Sequence, residues 1–322
     1  MKHIEINIWK ACNNKCRFCM SAEVWMDEKK LTDTNLVIKE IEKYSMKWFT
    51  SIGFLWWDIS IHPWIFEILN SAKNNNFKEI SVITNAMVFD DHDKALKLIK
   101  SWVTRVNISI HSYKSKVEDY LTQVNWWLLR KLKAIDNFND LHNKGILKSA
   151  LAINIVLNWK NYKDIIETCI YFYKEKNIYD MRLNFIWPRY FTSKKDREDL
   201  FLKYSDFLSY IKKLIYLSLK LNIRITFDSI PACIFYKIDN KNYKKLVSKF
   251  LWESFDKIEE ISNINKNLVF DWKKQKKDDL KVKFESCNKC IYNKVCEWVR
   301  KEYVEKCWSG EFIAIKNEKW IT

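Results

Sequence analysis

Short apolar runs rich in isoleucine and valine alternate along this chain with longer stretches whose apolar residues return at helical spacing. The first pattern predicts strands and the second predicts amphipathic helices. Strands are expected over 4–9, 51–55, 79–84, 103–110, 150–157 and 181–186, with 223–227 as a seventh. Asp33 can cap a helix that carries Leu36, Ile41 and Tyr44. Leu128, Leu132, Ile135, Phe138 and Leu141 lie on or near one face of a long helix over 128–143, and Gly145 follows where a helix end favours a left-handed residue. The stretch 196–219 reads as one or two helices. Repeated βα units place helices outside a parallel sheet. Six of them predict an α/β fold, a partial (β/α)6 TIM-like barrel, with ligand-binding residues at the C-terminal ends of the strands. A doubly wound open sheet is the second fold the pattern allows, but no G-x-G-x-x-G follows the first strand. Past about 230 the spacing becomes irregular. The chain thus divides into a core, 1–230, and a small C-terminal metal-cluster domain, 231–322.

Composition narrows the class. With 322 residues and 48% apolar content the chain can bury a large core and is not disordered. No apolar run approaches the ~18 residues of a membrane span, so no membrane partner is expected. Lys2 and His3 lead straight into a strand-like run, so no signal peptide is expected. A net charge of +16 suits an acidic partner or nucleic acid. The lysines are spread along the chain, however, and the densest group, Lys273, Lys274, Lys276 and Lys277, is followed at once by Asp278 and Asp279. Nucleic acid is therefore not the expected partner. The 9 cysteines fall in close clusters, which argues for metal rather than a disulfide framework. Metal-bound thiolates need a reducing compartment, so the cytoplasm is expected. Cys169 stands apart, on the apolar face of a helix over 165–173, as a core thiol.

Glycine is scarce and tryptophan abundant: 3 against 16. Soluble proteins average about 7% glycine, and here the two residue types together come near that share. The tryptophans also sit where the chain should turn. Trp102 precedes a strand, Trp159 and Trp187 follow strands, and Trp56-Trp57 and Trp126-Trp127 are adjacent pairs at junctions. Turns favour a residue without a Cβ. Many of these positions are expected to be glycine in the native protein, as a UGA codon used for glycine but translated as tryptophan would give. The alternative is a protein that is rich in tryptophan.

The chemistry is carried by cysteines. Cys12-x3-Cys16-x2-Cys19 follows the first strand. Three thiolates at this spacing can hold three irons of a [4Fe–4S] cube and leave the fourth open. Zinc is the competing reading, although a local fourth ligand is lacking. The next segment, Ile52 to Pro63, becomes I-G-F-L-G-G-D-I-S-I-H-P when Trp56 and Trp57 are taken as glycine. Together with Cys12-Asn13-Asn14-Lys15-Cys16-Arg17-Phe18-Cys19, this segment resembles the radical S-adenosylmethionine superfamily, whose members carry C-x3-C-x2-C after strand 1 and a G-G-E-P-like segment after strand 2. Asp58 stands for the usual glutamate and Ile59 for the usual proline.

The resemblance covers 1–230. It implies that Cys12, Cys16 and Cys19 hold a [4Fe–4S] cluster and that S-adenosyl-L-methionine binds at its open iron. Backbone at Trp56, Trp57 and Asp58 would meet the methionine end of that cofactor. Thr84 and Asn85 would form a cofactor-contacting turn, with Asn107 and Ser109 near the ribose or carboxylate. For Asn85 a turn and for Ser109 space-filling are the plain alternatives. Asn154 and Asn184 are weaker substrate-side candidates. His111 either contacts substrate or packs, and His62 and Pro63 shape a loop.

A second group, Cys287-x2-Cys290-x5-Cys296, resembles auxiliary-cluster domains of the SPASM and twitch type. Arg300 takes the place of the usual further cysteine, which implies a single auxiliary [4Fe–4S] cluster. Its fourth ligand is expected to be Cys233, after Pro231-Ala232, with Cys307 as the alternative; a four-cysteine zinc knuckle is the competing site. The resemblance implies a radical S-adenosylmethionine oxidoreductase or maturase. It would draw electrons from a reduced flavodoxin or ferredoxin-like donor and act on a peptide. A small metabolite, RNA, or a catalytically inactive iron–sulfur or zinc protein are the other readings.

Overall fold

The computed structural model describes residues 2–8, 11–19, 32–54, 58–185, 193–251, 258–264, 268–296, 298–307 and 309–316. Seven parallel strands follow one another across a sheet in chain order: β1 (His3–Asn7), β2 (Ser51–Phe54), β3 (Glu79–Thr84), β4 (Arg105–Ser109), β5 (Ala152–Leu157), β6 (Asp180–Phe185) and β7 (Arg224–Asp228). The helices of the connections are α1 (Thr34–Met46), α2 (Ile65–Asn74), α3 (His92–Lys100), α4 (Ser115–Thr122), α5 (Trp127–Asn143), α6 (Ile165–Lys176), α7 (Lys194–Asp199) and α8 (Tyr204–Leu221). The stretch 196–219 is therefore two helices. Asp33 caps α1 as expected, accepting from the Asn35 N–H at 2.8 Å. Gly145, with φ of 71°, ends α5.

After α9 (Ala232–Ile238) and α10 (Tyr243–Phe250) the chain returns to the far side of the same sheet. There β8 (Ile258–Asn263) runs parallel beside β1, and β9 (Leu268–Asp271) is antiparallel on β8. The strand order is β7-β6-β5-β4-β3-β2-β1-β8-β9. The seventh strand expected over 223–227 is present as β7, whereas β8 and β9 have no counterpart among the expected strands. Their stretch, with Glu259 and Glu260 inside β8, lacks the β-branched runs that mark the others. The helix α11 (Trp272–Gln275), the short pair β10 (Lys281–Val282) and β11 (Val299–Arg300), and α12 (Lys301–Lys306) complete the description.

The two faces of the sheet differ in chemistry. Ile4, Ile6, Val82, Ile108, Ile155 and Leu183 are fully buried in the core. The alternate residues share the opposite face. Register carries one row from Glu5 through Gly53 and Ser81 to Arg105, and a second from Ser109 through Asn154 and Arg182 to Thr226. Arg105, Asn107 and Ser109 alternate along β4, so both rows lie on one polar face. Arg182 on β6 feels the carboxylate of Glu5 on β1, although four strands lie between. In a flat sheet those strands would be about 24 Å apart, so the sheet curls and its polar face is concave. No described strand closes β7 onto β9. The arrangement is consistent with a partial (β/α) barrel. Among the described residues no helix is long and apolar enough to cross a membrane.

Candidate functional site

The loop after β1 carries Cys12, Cys16 and Cys19, all partly buried and none in a disulfide. It is moored to α4 by backbone, Lys15 N–H to Thr122 O at 3.1 Å and Arg17 N–H to Leu121 O at 2.9 Å. The Arg17 guanidinium adds bonds to Tyr120 O (2.9 Å) and Asp196 Oδ1 (2.8 Å). The three thiols are within electrostatic reach of one another. Burial, then the Asp58 carboxylate, pushes the Cys12 thiol up to about 12. Burial, then Cys19, raises Cys16 further. Burial therefore disfavours the thiolates here, and a nearby cation or N–H donors favour them. N–H groups already point at the sulfurs. The Asn14 backbone lies 3.4 Å from Cys12 Sγ, the Asn14 carboxamide 3.8 Å from Cys16 Sγ, and the Asn85 carboxamide 3.8 Å from Cys12 Sγ. Asn14 was not singled out from sequence, because one asparagine between cysteines carries no signal of its own.

Asp58 is a latch behind this loop. It is 2% exposed. Its backbone N–H donates to Ala11 O at 3.2 Å. Its carboxylate accepts from Ser60 N–H (2.9 Å), Thr84 Oγ1 (2.8 Å) and Asn85 N–H (2.9 Å). Thr84 also accepts from Ala86 N–H, which stabilises a turn whose Ala86 has φ of 63°. Asn85 reaches Asn13 Oδ1 at 2.6 Å. Asp58, Thr84 and Asn85 thus join the ends of β2 and β3 to the cysteine loop. Asp58→Asn replaces an acceptor by an NH2 group facing an N–H donor. A hydrogen bond to a charged group contributes ~1.5–3 kcal/mol, so the variant should lose about 2 kcal/mol in denaturant unfolding; unchanged stability would contradict this role.

At the tip of β4, Ser109 is half-buried and Asn107 is buried, its Oδ1 without a partner among the described residues. His111 is buried beyond them, its ring edge-on to Phe18 at 4.7 Å and its Nδ1 accepting from Val156 N–H at 3.2 Å. Burial holds it down to about 4, so it is neutral. The backbone here is fixed by a fully buried ion pair. Glu118 Oε2 accepts from His111 and Ser112 N–H (2.7 and 3.0 Å), while Lys131 Nζ lies 2.7 Å from Glu118 Oε1 and donates to Ser109 O at 2.8 Å. Sequence gave no hint of this pair, since two helical charges so far apart look like solvated surface. Asn154 and Asn184 are half-buried on the same concave face. His62 accepts from Trp64 N–H at 3.2 Å, a loop-shaping contact as expected. Trp56, Trp57 and Trp187 lie outside the described residues.

The second cysteine group also has thiols with N–H donors. Cys233, at the start of α9, accepts from Ile313 N–H and senses Cys287 and Cys290; burial is the main cause that lifts it to about 11. Ile315 N–H lies 3.4 Å from Cys290 Sγ, and Trp298 N–H 3.4 Å from Cys296 Sγ. The buried Cys307 instead meets Tyr303, Glu311, Lys203 and Asp206. Cys169 is fully buried on α6, as a core thiol. Among the described residues, no three His, Cys, Asp or Glu groups crowd around a point as a single ion needs.

A family described as the Radical SAM superfamily matches residues 6–169, from the end of β1 through the first cysteine loop to β5 and into α6. A probable GTP 3′,8-cyclase of Methanococcus aeolicus is 28% identical over 135 residues, 41% of this chain and 44% of that protein. A GTP 3′,8-cyclase of Clostridium botulinum is 27% identical over 117 residues, 35% of this chain and 36% of that protein. The chain thus spans less than half the length of these curated relatives. Among solved structures, Streptococcus suis SuiB bound to S-adenosylmethionine aligns over 98% of this chain and 76% of its own, with a TM-score of 0.66 and 15% identity. anSMEcpe with bound AdoMet aligns over 70% of this chain and 63% of its own, with a TM-score of 0.54 and 15% identity. At such identities the structural likeness speaks to the fold.

Proposed function

Because this chain belongs to the radical SAM superfamily, we propose that it is a radical S-adenosylmethionine oxidoreductase or maturase whose first cysteine loop holds a [4Fe–4S] cluster. The single observation that carries this reading is the loop itself. Its three thiols sense one another, Cys12 and Cys16 are supplied with N–H donors, and Asp58 latches the loop to the C-terminal ends of the strands. A zinc ion holds each thiolate about 2.3 Å away, whereas a cube takes one thiolate per iron corner. Cys12, Cys16 and Cys19 would hold the cluster, which when bound would supply the electron for reductive cleavage of S-adenosylmethionine to methionine and a radical able to take a hydrogen atom from substrate. The chain's own residues hold and shield. Asn14 and Asn85 steady the thiolates, Asp58 and Thr84 set the loop, and the Glu118–Lys131 pair fixes the strand tip where Asn107, Ser109 and His111 face the reaction. The test is anaerobic reconstitution followed by reduction. Reductant-dependent 5′-deoxyadenosine is expected, and iron-loaded protein that forms none would leave the non-catalytic reading.

The division into a core, 1–230, and an auxiliary-cluster domain, 231–322, belongs to the same proposal. Cys233, Cys287, Cys290 and Cys296 are its four thiolates, favoured over Cys307 by the electrostatic contact of Cys233 with Cys287 and Cys290. Cys233→Ala is expected to lose about four irons, one cluster's worth, and Cys307→Ala none; the reverse result in an iron assay would contradict the assignment. A peptide substrate, a flavodoxin or ferredoxin-like donor and a cytoplasmic location complete the reading, with a small metabolite the second substrate class.

The tryptophans support a native glycine at several positions. Trp48, Trp102, Trp126 and Trp298 have φ of 64°, 70°, 61° and 57°. A left-handed residue with a Cβ costs about 1–2 kcal/mol. Trp48 ends α1 with bonds from its own N–H to Ser45 O and from Phe49 N–H to Tyr44 O. Gly145 ends α5 with the same pair, to His142 O and from Ile146 N–H to Leu141 O. Trp48 is 84% and Trp126 78% exposed, so neither indole gains much by burial. Trp48→Gly and Trp126→Gly should each raise unfolding stability by about 1 kcal/mol. Tryptophan at both positions in mass spectra of the native protein would contradict the glycine assignment there.

A further inference from the structure

The concave face carries buried polar atoms that the cysteine loop leaves unused. On β1, Glu5 is 6% and Asn7 1% exposed, and on β7 Thr226 is fully buried. His3 Nε2 lies 2.8 Å from Glu5 Oε1, and His3 Nδ1 is 2.6 Å from Ser51 Oγ. That fixes one carboxylate oxygen. The other, Glu5 Oε2, has no hydrogen-bond partner among the described residues, nor have Asn7 Oδ1 and Thr226 Oγ1. Leaving a buried acceptor unmatched is unfavourable, and most of all for a charged one. Glu5 lies over Gly53, where a Cβ would stand 2.1 Å from Oε2. The glycine therefore makes room for this carboxylate. Ser81, Asn154 and Asn184 on the same face are only half-buried, so the face is open to a ligand.

We propose that Glu5, with Asn7 above it on β1, is a substrate subsite that takes an ammonium or guanidinium group. Glu5 Oε2 is an unmatched carboxylate acceptor, and the Asn7 carboxamide oxygen offers a second. Across the curl, Arg182 is engaged with Asp180 at 3.9 Å, and Arg105 and Arg224 add to the same carboxylate at 2.8 and 3.5 Å. A cation at hydrogen-bond distance from Glu5 is attracted more strongly than it is repelled from the far wall, because the interaction falls with distance. The subsite deepens the proposed reaction and rests on its taking place within this curl. It favours a substrate with a lysine-like or arginine-like side chain, or a free amino group.

Agmatine, which has both cations, is the probe, with succinate and 1,4-butanediol as anionic and neutral controls. Equilibrium dialysis against the reconstituted protein is expected to find agmatine bound and both controls unbound, with affinity at least tenfold weaker in Glu5→Gln. If Glu5→Gln does not fold, Glu5→Asp is used, where the retracted carboxylate should weaken binding at least threefold. Agmatine binding unchanged in the variant, succinate in place of agmatine, or no agmatine binding by the parent chain overturns the subsite. Binding needs no reduced cluster. Its failure beside intact 5′-deoxyadenosine formation removes the subsite and leaves the reaction.

Discussion

Cys16→Ala should abolish reductive cleavage of S-adenosylmethionine, with at least a thousandfold fall in 5′-deoxyadenosine, while the C-terminal cysteines keep about four irons, one cluster's worth. The three thiols of the loop have no spare. The buried Glu118–Lys131 pair acts on Cys16 electrostatically, and the Asn14 carboxamide points at its sulfur. In the proposed site, alanine removes one of three iron ligands. Cys169→Ala is the matched control. That thiol is fully buried in the α6 core, away from both cysteine groups. It should lose a little stability and no iron. Iron analysis, sulfide analysis and product chromatography on the same preparations read both variants; retained cleavage in Cys16→Ala would sink the assignment.

Lys131→Met should be the most destabilising single change outside the cysteines. Both members of the pair are 0% exposed. Removing one partner of a buried pair costs about 3–5 kcal/mol, because the remaining charge is left uncompensated. Here the remaining charge is Glu118, which also holds the His111 and Ser112 N–H groups, so the loss reaches the tip of β4. Burial alone would raise the Glu118 carboxyl, but Lys131 and His111 with the backbone donors hold it below the ordinary carboxylate range. In the parent chain its contribution is present above the unfolded value of about 4.3 and is lost as pH falls through the lower folded value. Without Lys131, burial favours the neutral acid. The gap between parent and variant should therefore be widest near neutral pH and narrow below about pH 5. The double variant Glu118→Gln, Lys131→Met should recover part of the loss. Urea titrations at both pH values check this, and a gap that does not change with pH would contradict it.

The parts legible in the sequence are those with local signals. β1 to β7 announce themselves as β-branched runs, and Asp33 and Gly145 as helix ends. The cysteine spacings mark both thiol groups. Thr84 and Asn85 stand at the end of β3 as expected, where they form the turn and the Asp58 latch; the cofactor contact read for them belongs to the proposed function. What escaped depends on contacts across the fold. Glu118 and Lys131 pair between two helices, and Glu5 gains meaning only from Gly53 beside it and Arg182 across the curl. The β8–β9 pair escaped because its position beside β1 is set by tertiary pairing rather than by its own alternation.

The most direct test of the central claim is metal content and cofactor cleavage measured on one anaerobic preparation carrying Trp56→Gly and Trp57→Gly. The account expects about eight irons, two cubes' worth, no stoichiometric zinc, and 5′-deoxyadenosine that appears with reductant and vanishes when Cys12, Cys16 or Cys19 is replaced. Zinc at the first loop, or a full iron load with no 5′-deoxyadenosine, would contradict it.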